Sequence, residues 1–128
     1  MNMLEGIRLS ASLTVNDLEK SVAWYRDVLG FTIAQSHERE GKLMAVSLRA
    51  GEDVRILLAQ DDGAKGLDRQ KGIGFSMMIT TDQNIDELAQ RIADAGGGLE
   101  SPPVEMPWGA RMFRLRDPDG FRYTISSQ

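Results

Sequence analysis

The sequence contains no cysteine and one histidine, His37, among its 128 residues. The absence of cysteine excludes disulfides, thiolate nucleophiles, iron–sulfur clusters and cysteine-ligated zinc. A single histidine excludes an HExxH zinc site and any metal site that takes two imidazoles from one chain. No run of about eighteen apolar residues is present, and the first residues lack the basic and apolar regions of a signal peptide. We therefore expect a cytoplasmic protein that does not contact a membrane.

Positive charge is also scarce. Fifteen Lys and Arg against nineteen Asp and Glu give a net charge of −4. This balance argues against a nucleic-acid partner, since surfaces that bind nucleic acid usually carry a basic stripe. Hydrophobic residues make up 41% of the chain and charged residues 27%, which is enough apolar material for a buried core. The length fits one domain, or two small modules that share one core.

The first half of the chain reads as strand, helix and three strands. Residues 7–15 alternate apolar and polar side chains, as in a half-buried strand. Asn16 is predicted to cap the following helix, with Glu19 completing a capping box and Gly30 ending the helix. Three strand-like runs separated by turn signals follow, at 31–38, 43–49 and 54–60.

The same order recurs after a polar, glycine-containing linker at about 61–71. A strand is predicted at 73–79, a helix at 84–95, a short strand around Leu99 before a proline-rich stretch, and a final hairpin formed by 111–116 and 121–126. The sequence therefore predicts an α+β domain of two tandem βαβββ modules, at about 1–60 and 72–128.

Alternation also predicts what the strands present on the face away from the helices. That face combines small hydroxyls, a few apolar side chains and isolated arginines, which suits either a ligand-lined hollow or a solvated sheet. His37 is expected on the other face, near a hairpin tip. The residues assigned to the hydroxyl-lined face are Ser10, Ser12, Thr14, Thr32, Ala34, Ser36, Ala45, Ser47, Arg55, Leu57, Ser76, Met78, Met112, Arg114, Arg122, Thr124 and Ser126.

Two segments carry a family resemblance. Residues 13–31 read LTVNDLEKSVAWYRDVLGF and residues 108–120 read WGARMFRLRDPDG. The first resembles the opening, and the second the closing hairpin, of the vicinal-oxygen-chelate superfamily. That superfamily includes glyoxalase I, extradiol dioxygenases, fosfomycin-resistance transferases and bleomycin-resistance proteins. The resemblance implies two curled mixed sheets that form cups, with the helices on the outer face, usually completed by a homodimer.

The resemblance also bears on metal binding. Metal-dependent members carry His or Glu at four cup-facing positions, which correspond here to Ser10, Leu57, Ser76 and Thr124. Neutral hydroxyls are weak donors to a divalent ion, and leucine is none. We therefore expect no metal and no cofactor, which excludes the Lewis-acid chemistry of glyoxalase I and the dioxygenases. Of the branches named above, this chain most resembles the bleomycin-resistance proteins, which bind drugs without metal or turnover.

These expectations combine into a small-molecule binding protein that sequesters a drug or metabolite and forms a homodimer, with Trp24 a candidate interface residue. The ligand is expected to have an aromatic or apolar body and at least one anionic or strongly accepting group. Two alternatives stay open: a metal-independent isomerase or lyase that uses the same cup, and an interaction module without a ligand. Trp108 could stack on the ligand at the cup mouth or anchor a loop. The predicted ligand-binding residues are Ser10, Ser12, Arg55, Leu57, Met78, Trp108, Met112, Arg114 and Thr124.

Overall fold

The computed structural model describes residues 3–128; residues 1 and 2, which open the predicted first module, lie outside the described residues. Over residues 3–128 the chain forms two α-helices and eight β-strands. The elements in chain order are β1 (Ser10–Val15), α1 (Leu18–Asp27), β2 (Thr32–Arg39), β3 (Lys42–Arg49), β4 (Arg55–Gln60), β5 (Met77–Thr80), α2 (Ile85–Asp94), β6 (Leu99–Glu105), β7 (Arg111–Arg116) and β8 (Arg122–Ser126).

The strands form two four-stranded mixed sheets with the same topology. Their orders are β1-β4-β3-β2 and β5-β8-β7-β6. In each sheet the first strand runs parallel to the last strand of its module, and the other neighbours are antiparallel. Along the chain, each module has the same strand–helix–three-strand order, which confirms the predicted tandem α+β architecture.

One core joins the two modules. The apolar stripes of both helices are buried, Leu18, Val22 and Tyr25 on α1 and Ile85 and Ile92 on α2. They belong to one cluster with the apolar faces of both sheets. The burial of a large apolar side chain contributes about 1.5–3 kcal/mol. Because the helix-covered faces are joined inside the molecule, the opposite sheet faces are left available for a site.

The first helix begins one residue later than the sequence indicates. Asp17, not Asn16, is the N-cap, and its carboxylate accepts a hydrogen bond from the Lys20 N–H at 3.2 Å. Asn16 has other partners: its backbone N–H donates to Asp119 Oδ1 at 2.9 Å, and its side-chain oxygen accepts from Lys71 Nζ. Asn16, the predicted cap, therefore connects the first module to the linker through Lys71 and to the last hairpin through Asp119.

Both first strands of the modules are shorter than predicted. β1 begins at Ser10, opposite Arg55, the first residue of β4. β5 begins at Met77, opposite Tyr123 of β8. Residues 7–9 and 73–76, which continue the alternating pattern upstream of these points, are not paired with another strand among residues 3–128. A strand pattern needs a partner to become a strand.

The sixth strand is longer than predicted. β6 runs from Leu99 to Glu105 and includes Pro102 and Pro103. Proline is tolerated there because β6 is the edge strand of its sheet and its register shifts between Ser101 and Val104.

A β-bulge in β2 overturns the predicted facing of two residues, Ser36 and His37. The register pairs Ile33 with Leu48 but Gln35 with Ser47, so Ala34 has no partner. Beyond this point the alternation is reversed. Ser36 lies opposite the core residue Val46, and His37 lies opposite Ala45 on the hydroxyl-lined face. The expectations for Ser36 and His37 were wrong because an extra residue changes the parity of a strand.

Candidate ligand-binding cleft

A cleft of about 600 Å³ lies between β1 and β5, which are edge strands of the two sheets. Each of these strands has a hydrogen-bonded neighbour on one side only, so the cleft is bordered by unpaired backbone groups. Its lining comes from residues 9–13, 53–56 and 75–79, together with the ring of Tyr123. The core residues Leu13, Ile56 and Tyr123 are buried and form its rigid base.

The polar lining consists of hydroxyls, one arginine and one aspartate, Asp53, whose carboxylate lies 3.7 Å from Arg8 Nε. Ser10 and Ser12 lie on β1, and Ser76 precedes β5. Arg55 borders the cleft at the start of β4, where its Nε donates to the Glu52 backbone oxygen at 3.0 Å. Its Nη2 is 3.7 Å from the Glu52 carboxylate. A half-exposed pair of this kind is worth little, about 0–1 kcal/mol, so the guanidinium can exchange that carboxylate for an anionic ligand.

The apolar lining is unusually exposed. Leu9 is 90% exposed, Met78 64% and Phe75 52%. Apolar side chains gathered around a cleft, with a few polar groups between them, are typical of a ligand or partner surface. Phe75 and Leu9 were not among the predicted ligand residues, because both were assigned to paired strands whose odd positions should face the core.

Four predicted ligand residues meet in this cleft, namely Ser10, Ser12, Arg55 and Met78. Leu57 does not line it, although it lies opposite Ser12 on the same sheet face and is half-buried.

Three more predicted residues, Met112, Arg114 and Thr124, lie on the second sheet. Met78, Thr124 and Arg114 form one cross-strand row over β5, β8 and β7. Thr124 is buried, whereas Arg114 is exposed and its guanidinium makes no hydrogen bond or ion pair with residues 3–128. Met112 belongs to the next row, opposite Ser126, and is 4% exposed. The row therefore leads from the cleft edge at Met78 to an unpartnered guanidinium.

Trp108 lies apart from the cleft. It is 68% exposed and sits in the turn between β6 and β7, where the Met106 N–H donates to the Ala110 oxygen at 2.7 Å. β7 is separated from β5 by β8, so this turn is on the far side of the second sheet. The structure does not bring Trp108 to the mouth of the cleft as predicted. Trp24 is half-buried, with its ring edge-on to Tyr25 at a centroid distance of 5.0 Å.

The four positions that correspond to family metal ligands do not fit a metal. Their side chains offer three neutral hydroxyls, Ser10, Ser76 and Thr124, and the hydrocarbon of Leu57. Divalent ions in such proteins take imidazole nitrogens or carboxylate oxygens. Within residues 3–128, no three His, Asp or Glu side chains gather closely enough to supply such a set elsewhere.

Comparison with known proteins agrees with this geometry. The family model of the Glyoxalase/Bleomycin resistance protein/Dioxygenase superfamily matches residues 8–125. The chain belongs to this superfamily. Among curated relatives, this superfamily member is 26% identical to a lactoylglutathione lyase of Salmonella typhimurium over 122 residues, covering 91% of this chain and 89% of the relative. It is 25% identical to a probable lactoylglutathione lyase of Synechocystis over 122 residues, covering 91% and 92%.

Solved structures show the same superfamily fold. A superfamily member from Sphaerobacter thermophilus matches with a TM-score of 0.79 at 25% identity, covering 99% of this chain and 100% of that one. TioX from Micromonospora matches with a TM-score of 0.77 at 20% identity, covering 95% and 98%. As regards membranes, neither helix in residues 3–128 is long and apolar enough to cross a bilayer.

Proposed function

We propose that this superfamily member is a metal-free small-molecule binding protein whose ligand occupies the cleft between β1 and β5. The observation that carries the proposal is the lining itself, in which the exposed apolar side chains of Leu9, Phe75 and Met78 surround the hydroxyls of Ser10 and Ser12. The apolar side chains would contact an aromatic or apolar ligand body, and the hydroxyls would orient it. Sequestration of a drug or metabolite is the role that needs no further chemistry.

Two arginines near the cleft would pair with an anionic group of the ligand, since the Asp53 carboxylate that also lines the cleft already lies 3.7 Å from Arg8 Nε. Arg55 borders the cleft, and Arg114 lies two strands away in the row that begins at Met78. Arg114 has no acidic partner among residues 3–128, so its donors are available without breaking an existing pair. A guanidinium and a carboxylate or phosphoryl group form charge-assisted hydrogen bonds, which are stronger than neutral ones.

A homodimer is the second part of the proposal. β1 and β5 are free edges, and the segments before them expose Ile7 at 91% and Ile73 at 64%. Unpaired edges flanked by exposed apolar residues are usually covered in native proteins. A twofold-related copy that covers both segments would also close the cleft from outside.

The names of the relatives support one alternative, a lyase. The relative at 26% identity is named lactoylglutathione lyase, and the relative at 25% is named probable lactoylglutathione lyase. Against it, the positions Ser10, Leu57, Ser76 and Thr124 do not fit a metal. Formation of S-lactoylglutathione should therefore stay at the uncatalysed rate, with or without added nickel or zinc. A rate that increases with protein concentration would contradict the binding proposal and show that the protein is a lyase.

A screen with a blocked cleft tests binding. Thermal unfolding is measured against a library of aromatic acids and their neutral analogues, since a ligand that binds only the folded state stabilises it by RT ln(1 + [L]/Kd). Ser12→Trp fills the cleft from β1 and should abolish the shifts. Ser36→Trp, on exposed β2 outside the cleft, is the matched control and should retain them. Equal shifts in wild type and Ser12→Trp would place the ligand elsewhere.

A further inference from the structure

A second cavity, of about 440 Å³, adjoins the cleft. It lies between residues 70–76 and the guanidiniums of Arg116 and Arg122, and it shares Phe75 and Ser76 with the cleft. Arg116 is on β7 and Arg122 on β8, and the two are direct cross-strand partners. The loop and the arginines thus face the same space from opposite sides.

The loop offers an uninterrupted run of backbone donors. None of the five N–H groups from Gly72 to Ser76 donates a hydrogen bond to a residue in the range 3–128. Gly72 and Gly74 have φ values of +74° and +84°, whereas Ile73 between them is not in the positive-φ region. Positive-φ residues on either side of a residue with negative φ turn N–H groups toward a shared concavity, a feature found in anion-binding nests.

The loop is held in place on both sides. Lys71, just before it, forms a buried ion pair with Asp61 at 3.0 Å. Gly72 lies against the last hairpin so closely that a Cβ at this position would come within 2.7 Å of the Gly120 oxygen. A donor loop fixed in advance binds an anion without first losing conformational freedom.

The two arginines keep free donors although both are paired. Glu100 accepts from Nε of Arg116 at 2.5 Å and from Nε of Arg122 at 3.0 Å, and its second contact with Arg122, through Nη2, is 3.5 Å. Nη1 of Arg116 donates to the Gly120 oxygen at 2.9 Å. Nη2 of Arg116 and Nη1 of Arg122 have no acceptor among residues 3–128. One carboxylate against two guanidiniums leaves the cluster with a net charge of about +1.

We propose that this cavity is an anion site for a phosphoryl group, which the free N–H groups of 72–76 and the free Nη atoms of Arg116 and Arg122 bind from opposite sides. Three phosphoryl oxygens can accept from donors on several sides at once, whereas a planar carboxylate has two oxygens. Glu100 orients the guanidiniums and limits their affinity. The site goes beyond the proposed ligand cleft and does not depend on it, since a phosphate ion alone can be tested.

The test is a titration of ¹⁵N-labelled protein with inorganic phosphate, followed by amide NMR. The amide signals of residues 72–76 should shift saturably with one dissociation constant, and acetate at the same ionic strength should shift them more weakly. No saturable shift of these amides, or equal shifts with acetate, would overturn the assignment. This titration uses the wild-type protein, so its result does not depend on whether any variant folds.

Variants provide the second arm. Arg116→Gln and Arg122→Gln should each weaken phosphate binding about tenfold or more, as expected for a lost hydrogen bond to a charged group. Glu100→Gln should strengthen it, because a neutralising charge is removed. The matched controls are Arg111→Gln and Asp86→Asn, which break a comparable exposed ion pair of 2.7 Å that lines neither cavity. Equal losses in Arg111→Gln, or unchanged binding in both arginine variants, would contradict the site.

Discussion

The Tyr25 hydroxyl donates a hydrogen bond of 2.8 Å to the Asp117 carboxylate, across 92 residues of sequence. It thereby joins α1 of the first module to the β7–β8 turn of the second. A further hydrogen bond of 2.9 Å links the hydroxyls of Tyr25 and Tyr123. Burial raises the pKa of Asp117, while bonds from Tyr25 and from the N–H groups of Phe121 and Asp119 oppose that rise. The turn that closes the second module is therefore also the polar fastening between the modules.

Loss of the Tyr25 hydroxyl should destabilise the fold. Tyr25→Phe leaves the buried Asp117 carboxylate without its side-chain donor, and an unsatisfied buried group costs about 1–3 kcal/mol. Tyr123→Phe is the control and should cost less, because its hydroxyl touches only that of Tyr25. Urea unfolding measures both free energies. Equal losses, or no loss in Tyr25→Phe, would show that the fastening does not act as described.

The ion pairs of Asp61 should make stability fall in acid. The hydrogen bond from the Gly63 N–H, with those from Lys71 and Arg69, lowers the pKa of Asp61 to about 2. A carboxyl with a lowered folded-state pKa contributes stability above its unfolded pKa, about 4, and loses that contribution as pH falls toward 2. Thermal midpoints of wild type and Asp61→Asn should therefore differ at neutral pH and converge at pH 2. A difference that persists unchanged at pH 2 would contradict this assignment.

The fold was predictable where local signals and tertiary contacts agree. The helix predicted at 84–95 forms as α2 (Ile85–Asp94), with Asn84 as its N-cap, whose side chain accepts from the Glu87 N–H at 3.0 Å. Gly30 ends the first helical segment with a φ of +78°, the conformation for which glycine is favoured. The alternation of β1 and β7 also places Leu13 and Leu115 in the core.

Prediction failed where the outcome depends on a distant partner. The parity of β2 is reversed at Ala34 by a bulge whose presence is decided by pairing with β3. Phe75 has the pattern of a strand residue, but the pairing of β5 with β8 begins only at Met77, and Phe75 lines the cleft instead. Trp108 is distant from the cleft because strand order, which periodicity does not encode, separates β7 from β5.

The free edges lead to a prediction about oligomeric state. Light scattering should give the mass of two chains across micromolar concentrations. Phe75→Asp should shift the protein toward monomer, because it places a charge among the exposed apolar residues before β5. Ile33→Asp, on the β2 edge with 41% exposure, is the control and should remain dimeric. A wild-type protein that is monomeric throughout would contradict the homodimer.

The unpartnered guanidinium of Arg114 should discriminate between ligands. For an anionic ligand found in the screen, Arg114→Ala should weaken binding by about 1.5–3 kcal/mol, the cost of a hydrogen bond to a charged group. The neutral isostere of that ligand should bind wild type and Arg114→Ala with equal dissociation constants, measured by calorimetry. Arg91→Ala, an exposed arginine on α2, controls for the loss of positive charge. Equal weakening for both ligands would show that Arg114 does not contact the anionic group.

The most direct measurement is the ¹³C-methyl spectrum of methionine-labelled protein during titration with a ligand that stabilises the fold. Met78 is at the β5 edge of the cleft and 64% exposed, whereas Met44 is on β3, away from the cleft, and 36% exposed. Binding in the cleft should shift the Met78 methyl signal saturably and leave the Met44 signal unchanged. In Ser12→Trp the shift of Met78 should be absent. A saturable shift of Met44 with Met78 unchanged would contradict the assignment of the cleft between β1 and β5 as the ligand site.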